Sequence, residues 1–104
     1  MDAMVIADTA GTICFWNSGA ESLFGYTAAQ AIGQTLDLIV PPQYREAHWN
    51  GFRRAMALGE AAAEGQGGPF PVARADGSGA PVHGRLTLLR GPQGLVAAAA
   101  VVFT

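Results

Sequence analysis

The hydrophobic periodicity of this chain changes twice, and this change limits the folds that it can adopt. Near the start, two short β-type runs, Ala3–Ala7 and Thr12–Trp16, flank a turn that contains Gly11. The middle of the chain instead repeats its apolar residues every three to four positions, as an amphipathic helix does. The last third returns to β-type runs. Strands divided by a block of helices indicate an α+β domain with an antiparallel sheet that the helices cover on one face.

Capping residues and prolines predict where the helices of the middle block begin and end. A short helix is predicted to end at Gly25, and the spacing of Thr27 and Gln30 is that of a capping box at the start of the next helix. The longest helix is predicted over Pro42–Leu58, because proline is favoured in the first turn and Gly59 follows as a C-terminal signal.

The final third is predicted to hold three strands, over Pro69–Ala75, Ala80–Arg90 and Leu95–Thr104. In the last strand, alternate residues are expected to face the helices, namely Val96, Ala98, Ala100 and Val102. The intervening residues would then form an apolar strip on the outer face of the sheet, namely Ala97, Ala99 and Val101. Because alanine fills little volume, we expect a cavity between the helices and the inner face.

Charge and cysteine content exclude several classes of partner. The chain has 104 residues, which is one domain's worth, and its six basic residues are all arginine against eight acidic residues, for a net charge of −2. We therefore expect neither nucleic acid nor an anionic membrane as a partner, since both require a positive field. No apolar run is long enough to span a membrane. A single cysteine, Cys14, excludes an internal disulfide and favours a reducing, cytoplasmic location.

Motifs for catalysis are missing from the sequence. The serine in Gly77–Gly79 lies in a turn and lacks the nucleophile-elbow pattern, and a chain without lysine cannot carry a Walker motif. The two histidines, His48 and His83, are far apart and neither has a paired carboxylate motif. We therefore expect a module that is not an enzyme.

Several motifs, in order along essentially the whole chain, resemble those of PAS sensory domains. The segments that carry the resemblance are Asp8–Ile13, Trp16–Asn17, Ala20–Thr27, Ala31–Gln34, Ile39–Pro41, Arg74–Gly77 and Pro81–Val82. The resemblance implies a five-stranded antiparallel sheet in the order 2-1-5-4-3, with the helices enclosing a cavity against one face. We expect one PAS domain over residues 1–104, taken from a longer signalling protein.

The resemblance also bears on the cofactor. Flavin-type photosensory PAS domains carry an adduct-forming cysteine in an Asn-Cys-Arg-like motif on a middle helix, and the coumaroyl type also needs a helical cysteine. The corresponding region here is Gln34–Leu38, whereas Cys14 lies in the second predicted strand. The sequence therefore disfavours a flavin.

Heme is a second candidate cofactor, because Arg45 and His48 match the Arg-x-x-His motif of the heme-binding PAS domains of bacterial oxygen sensors. The resemblance makes His48 the proximal iron ligand and Arg54 a propionate partner. Those sensors also have an arginine that hydrogen-bonds oxygen, and the matching position here is Gly68. A variant has methionine where this chain has Gln66. A structural histidine is ranked first, and a heme b iron bound to His48 second.

These observations lead to two functional hypotheses. The first is a sensory or regulatory module of a bacterial signal-transduction, two-component or transcription-regulatory protein, which binds a small molecule and relays a signal through a homodimer to an output domain. The alternative is a heme-b-binding gas or redox sensor with His48 as the proximal ligand. In both, the ligand occupies a cavity between the long helix and the inner sheet face, lined by His48, Phe52, Ala55, Phe70, Leu86, Leu88 and Ala98.

Overall fold

A five-stranded antiparallel sheet is the frame of the domain. The structure, a computed structural model, describes residues 2–61 and 64–104. The strands are β1 (Ala3–Asp8), β2 (Ile13–Trp16), β3 (Gly67–Phe70), β4 (Val82–Arg90) and β5 (Val96–Phe103). Their order in the sheet is β2-β1-β5-β4-β3, and every pair is antiparallel. The predicted α+β class and strand order are confirmed.

The helices lie between β2 and β3 in the sequence. They are α1 (Ser18–Phe24), α2 (Ala28–Ala31) and α3 (Arg45–Leu58), with 3-10 turns at Leu36–Leu38 and Pro42–Tyr44. The predicted caps are present: Thr27 and Gln30 form a capping box, and Gly25 and Gly59 end their helices in the left-handed conformation. The predicted long helix thus begins as a 3-10 turn and continues as α3. In the two described ranges, no helix has both the length and the apolar character needed to cross a membrane.

Strand register decides which residues of β5 face the helices, and it reverses the sequence prediction. The buried residues Ala3 and Ala7 of β1 lie opposite Phe103 and Ala99 of β5, so Ala99, Val101 and Phe103 face inward. Residues Ala98, Ala100 and Val102 lie on the outer face. The predicted facing was therefore wrong for Ala98, Ala100 and Val102, which were expected inward, and for Ala99 and Val101, which were expected on the outer strip. Nothing in a run of four alanines distinguishes the two faces, so the neighbouring strands set the register.

The third strand is shorter than predicted. It ends at Phe70, after which Val72 is buried in the core. The Ala73 N–H donates to the carbonyl of Ile39 at 2.9 Å, and the Ala75 N–H donates to that of Phe24 at 2.8 Å. Residue 71 is proline and has no N–H for a strand ladder. The chain therefore leaves the sheet there and packs against the helical block.

The main core lies beneath α1 and α2. The ring of Phe24 lies 5.3 Å from those of Trp16 and Phe103, and the rings of Phe70 and Phe103 are 5.8 Å apart. Other buried residues lie outside this cluster, namely Ala7, Ala55, Leu88, Ala99 and Ala100. The inner face therefore has a tightly packed half and a second half, closed by α3 and built from smaller side chains.

Candidate functional site

Helix α3 is fixed at its start by two side chains that reach Asp37. The Trp49 indole Nε1–H donates to the Asp37 carboxylate at 2.7 Å. The Arg45 guanidinium donates to the carbonyls of Val40 and Asp37 at 3.2 Å each, and its Nε lies 3.8 Å from the Asp37 carboxylate. Residues 45 and 49 are one helical turn apart and share a face of α3. That face is therefore tied to the 3-10 turn Leu36–Leu38.

A neighbouring face of α3 carries His48, Phe52 and Ala55, whose spacing of four and three residues places them in one row. The His48 ring is half-buried, 5.0 Å from the Trp49 ring in an edge contact and 5.9 Å from the Phe52 ring. Ala55 is 8% exposed. The row thus passes from a polar, aromatic end to a small, buried apolar end.

His48 lacks a hydrogen-bond partner for one of its nitrogens. Its Nδ1 is buried and has no partner in the described part of the chain. Burial lowers the pKa of the imidazole below its ordinary value of 6.5, and the negative charge of Asp37 opposes part of that shift. Because its pKa is lowered, His48 is mainly a neutral imidazole at neutral pH. A neutral imidazole carries one N–H donor, and its other nitrogen can accept a hydrogen bond or bind a metal ion.

The predicted lining residues that belong to the sheet lie on its inner face, with one exception. Leu86 and Leu88 lie opposite Val101 and Ala99 of β5, which face inward. Phe70 also faces inward but packs within the main core. Ala98 is the exception: it lies opposite Asp8 and Leu89 on the outer face, so its inclusion in the cavity was wrong. The cause is the register reversal of β5 described above.

An open groove of about 330 Å³ runs along the flank of α3, where the helix meets the β1–β2 turn. It is lined by Thr9, Ala10, Thr35, Trp49, Phe52 and Arg53. Of the predicted lining residues, only Phe52 belongs to it. Beneath Trp49 lies Gly11, which has a φ of +82°. The groove therefore shares Phe52 with the row of His48, whereas His48 and Ala55 are not among its lining residues.

A second groove, of about 380 Å³, lies between the end of α1 and the turn at residues 74–76. It borders Gly25 and Arg74, which belong to the motifs that carry the family resemblance. The Arg74 Nε is buried and has no partner within residues 2–61 and 64–104, while its Nη1 donates to the Ser78 hydroxyl at 3.3 Å. The Ser78 N–H donates to Asp76 at 2.9 Å. These contacts stabilise the turn, and we assign them to the fold.

The residues around His48 fit a heme iron in part. In ranges 2–61 and 64–104, no three His, Cys, Asp or Glu side chains are grouped to hold a metal ion. Iron in a macrocycle can be held by a single histidine of the protein. Neutral His48 is a suitable donor. An imidazole that binds through Nε2 carries its hydrogen on Nδ1 and usually donates it, whereas the Nδ1 of His48 has no acceptor among the described residues. His48 could thus hold the iron of a heme, but no described residue would accept the hydrogen of its Nδ1.

Two other positions implied by the heme resemblance, 54 and 68, are not enclosed by neighbouring groups. Arg54, the implied propionate partner, is exposed on α3. Gly68 lies in β3, and a Cβ atom added there would meet nothing within 4 Å. The backbone at this position therefore leaves room for a side chain that the sequence does not supply.

Sequence reasoning missed Asp37 and Trp49. The spacing of Arg45 and Trp49 by one helical turn could have suggested a shared partner. The identity of that partner could not be predicted from the sequence, because the conformation of residues 38–44 determines whether Asp37 lies next to α3.

Comparison with known proteins agrees with this architecture. The chain matches the PAS fold family over residues 1–104. It is 32% identical to the sensor protein FixL of Bradyrhizobium diazoefficiens over 79% of its own length, and 31% identical to the oxygen sensor protein DosP of Escherichia coli over 75%. The chain spans only 16% and 10% of the lengths of these two relatives.

A solved structure shows the same fold. The PAS domain of a protein from Colwellia psychrerythraea superposes with a TM-score of 0.82 at 25% identity, covering 99% of this chain and 84% of that one. The family match extends over all the elements described above, and the strand order and the helical block agree with it. The chain therefore belongs to the PAS family and is a PAS sensory domain.

Proposed function

We propose that this domain senses a small molecule that binds between α3 and the inner face of the sheet, in contact with His48. The observation that carries the proposal is the buried, unpartnered Nδ1 of His48. Leaving a buried polar atom unpaired costs about 1–3 kcal/mol, and such atoms are rare in folded proteins. A bound molecule that rearranges the ring would relieve this cost. The proposal assigns no reaction to the domain.

The chemistry around His48 indicates the class of ligand. Phe52, Ala55, Leu86 and Leu88 offer apolar surface, whereas His48 is the polar member of the predicted lining. Ligand pockets of this kind are mostly apolar, with few polar groups that fix orientation. A small, mostly apolar molecule with one hydrogen-bonding group fits this lining.

Heme b is the second candidate, supported by the neutral state of His48 and by the similarity to DosP, which is named an oxygen sensor. His48 would hold the iron. A bound heme would supply an iron centre that responds to gases or to redox state. Glycine at position 68 offers no side-chain hydrogen bond on the opposite side, so oxygen would be weakly held. The missing acceptor for Nδ1 places this candidate second.

The signal would pass through a homodimer to an output domain of a longer, cytoplasmic bacterial signal-transduction or transcription-regulatory protein. The outer sheet face supports the dimer: Phe15 and Leu89 are 42% and 38% exposed there, beside the half-buried Ala98 and Val102. Sedimentation should show a dimer that Phe15→Glu weakens. A strict monomer at high concentration would contradict this part of the proposal.

One set of spectra separates the two candidates. The purified domain is mixed with hemin, and its visible spectrum is compared with those of His48→Ala and His83→Ala, the latter being an exposed control on the outer face. A Soret band shift lost only in His48→Ala selects heme. If hemin does not bind through His48, a saturable rise in the fluorescence of the apolar probe anilinonaphthalene sulfonate would support the small-molecule hypothesis. Binding of neither probe would overturn the proposed function.

A further inference from the structure

We propose that Asp37 and Trp49 form a positioning pair for this site, which fixes the His48 ring and connects it to the β1–β2 turn. The proposal rests on the proposed function for its purpose, but its geometry is independent of any ligand. Neither residue belongs to the predicted lining. Both act on His48 without being placed to contact the bound molecule.

The first step is the attachment of α3. Trp49 donates to the Asp37 carboxylate at 2.7 Å, and Arg45, one turn earlier, binds the Asp37 and Val40 carbonyls. Two attachments on one face of a helix fix its rotation about its own axis. Because side chains on a helix follow that rotation, the direction of the His48 side chain is fixed as well.

The second step is the contact between neighbouring rings. The Trp49 ring lies 5.0 Å from the His48 ring at 72°, and 5.4 Å from the Phe52 ring at 80°. Edge-to-face ring pairs have a preferred geometry, worth about 0.5–1.5 kcal/mol beyond burial. A change in the His48 rotamer therefore displaces Trp49 or loses this contact.

The third step leads away from the helix. Two carbons of the Trp49 ring occupy the space in which a Cβ atom of Gly11 would lie. The Gly11 carbonyl accepts a hydrogen bond at 3.0 Å from the N–H of Leu36, the first residue of the 3-10 turn that holds Asp37. The contacts thus form a closed cycle, from Trp49 to Gly11, to Leu36, to Asp37 and back to Trp49. Because these groups are closely packed, a displacement of Trp49 also displaces the β1–β2 turn.

The positioning pair is tested first without a ligand, by NMR of the two indole N–H groups. Trp16 is the internal control, because its indole is 4% exposed, lies in the main core and donates to the Tyr26 carbonyl. In Asp37→Ala, the Trp49 indole N–H should exchange with solvent about fivefold faster or more, as expected for a lost hydrogen bond. The His48 ring signals should shift, and the Trp16 indole should not change.

Two further variants keep the test specific. Asp37→Asn keeps an acceptor oxygen and should preserve slow exchange at Trp49, whereas Arg45→Gln removes the ion pair and leaves the Trp49 bond intact. If Asp37→Asn behaves like Asp37→Ala, the hydrogen bond is not the positioning contact and the proposal is overturned. If Asp37→Ala does not fold, Trp49→Phe keeps an aromatic ring without the donor and should shift the His48 ring signals.

The connection to the turn is tested with His48→Gln. The amide signal of Gly11 and the indole signal of Trp49 should both move, and His83→Gln should move neither. Unchanged Gly11 and Trp49 signals in His48→Gln would overturn the connection. Titration with hemin as the probe is then separate. If hemin and the apolar probe both fail to bind while these shifts occur, the proposed function fails and the positioning pair stands.

Discussion

A Cβ atom at Gly11 would overlap two ring carbons of Trp49, so the β1–β2 turn and α3 can approach this closely only because residue 11 has no side chain. The φ of Gly11 is +82°, a conformation that also favours glycine. Position 11 is therefore restricted twice, by its own backbone and by the indole above it. This contact is the last in the series that connects His48, through Trp49, to the β1–β2 turn.

Gly11→Ala should be strongly destabilising. We expect a loss of about 2–5 kcal/mol in the free energy of unfolding, from left-handed strain and overpacking together. Gly33→Ala is the matched control, because Gly33 has a φ of +95° and nothing within 4 Å of an added Cβ. It should cost only the strain, about 1–2 kcal/mol. Urea denaturation measures both, and equal losses would show that the indole yields without cost.

The unfolding free energy should fall as the solution is acidified below about pH 6.5. The folded domain holds the pKa of His48 below 6.5, so in this window the unfolded chain binds a proton that the folded chain does not. Acid therefore favours unfolding. Urea denaturation at several pH values should show a smaller pH dependence in His48→Gln than in the wild type. An unchanged dependence in that variant would refute the assignment.

Asp37→Asn should lower the pKa of His48 further. The Asp37 carboxylate favours the charged imidazole, and asparagine removes that attraction while burial still disfavours the charge. NMR titration of the His48 ring protons measures the shift directly. Asp76→Asn, at an exposed turn, is the control and should leave the His48 titration in place. A rise in the His48 pKa in Asp37→Asn would contradict the electrostatic argument.

Ala55→Leu should obstruct the proposed ligand site. Leucine at this buried position of α3 would fill space facing the sheet, and we expect the apolar probe to bind about tenfold more weakly. Ala98→Leu is the matched control, because Ala98 lies on the outer face. Fluorescence titration compares the two variants. Equal affinity in Ala55→Leu and the wild type would place the ligand elsewhere.

Local chemistry made much of the fold predictable. The Asn17 side chain accepts a hydrogen bond from the Ala20 N–H at 2.9 Å, and Thr27 and Gln30 bond each other's backbone N–H groups. These contacts join residues three apart, so a short stretch of sequence contains all the groups involved. His48, Phe52 and Ala55 lie on one face of α3 for a similar reason, because helical spacing places them there, and their role as cavity lining stays a prediction.

The faces of β5 and the attachment of α3 required the tertiary structure. In β5, a run of alanines gives no preference for either face, and pairing with Ala7 of β1 and Leu88 of β4 turned Ala99 inward and Ala98 outward. The Asp37–Trp49 bond joins residues twelve positions apart. The sequence alone determined where the helices begin and end and where most strands lie, because capping and turn contacts are local, whereas the end of β3 at Phe70 depended on the packing of Val72 in the core. The tertiary structure decided register and the surroundings of His48, because these depend on groups distant in the chain that meet only when the sheet and α3 pack together.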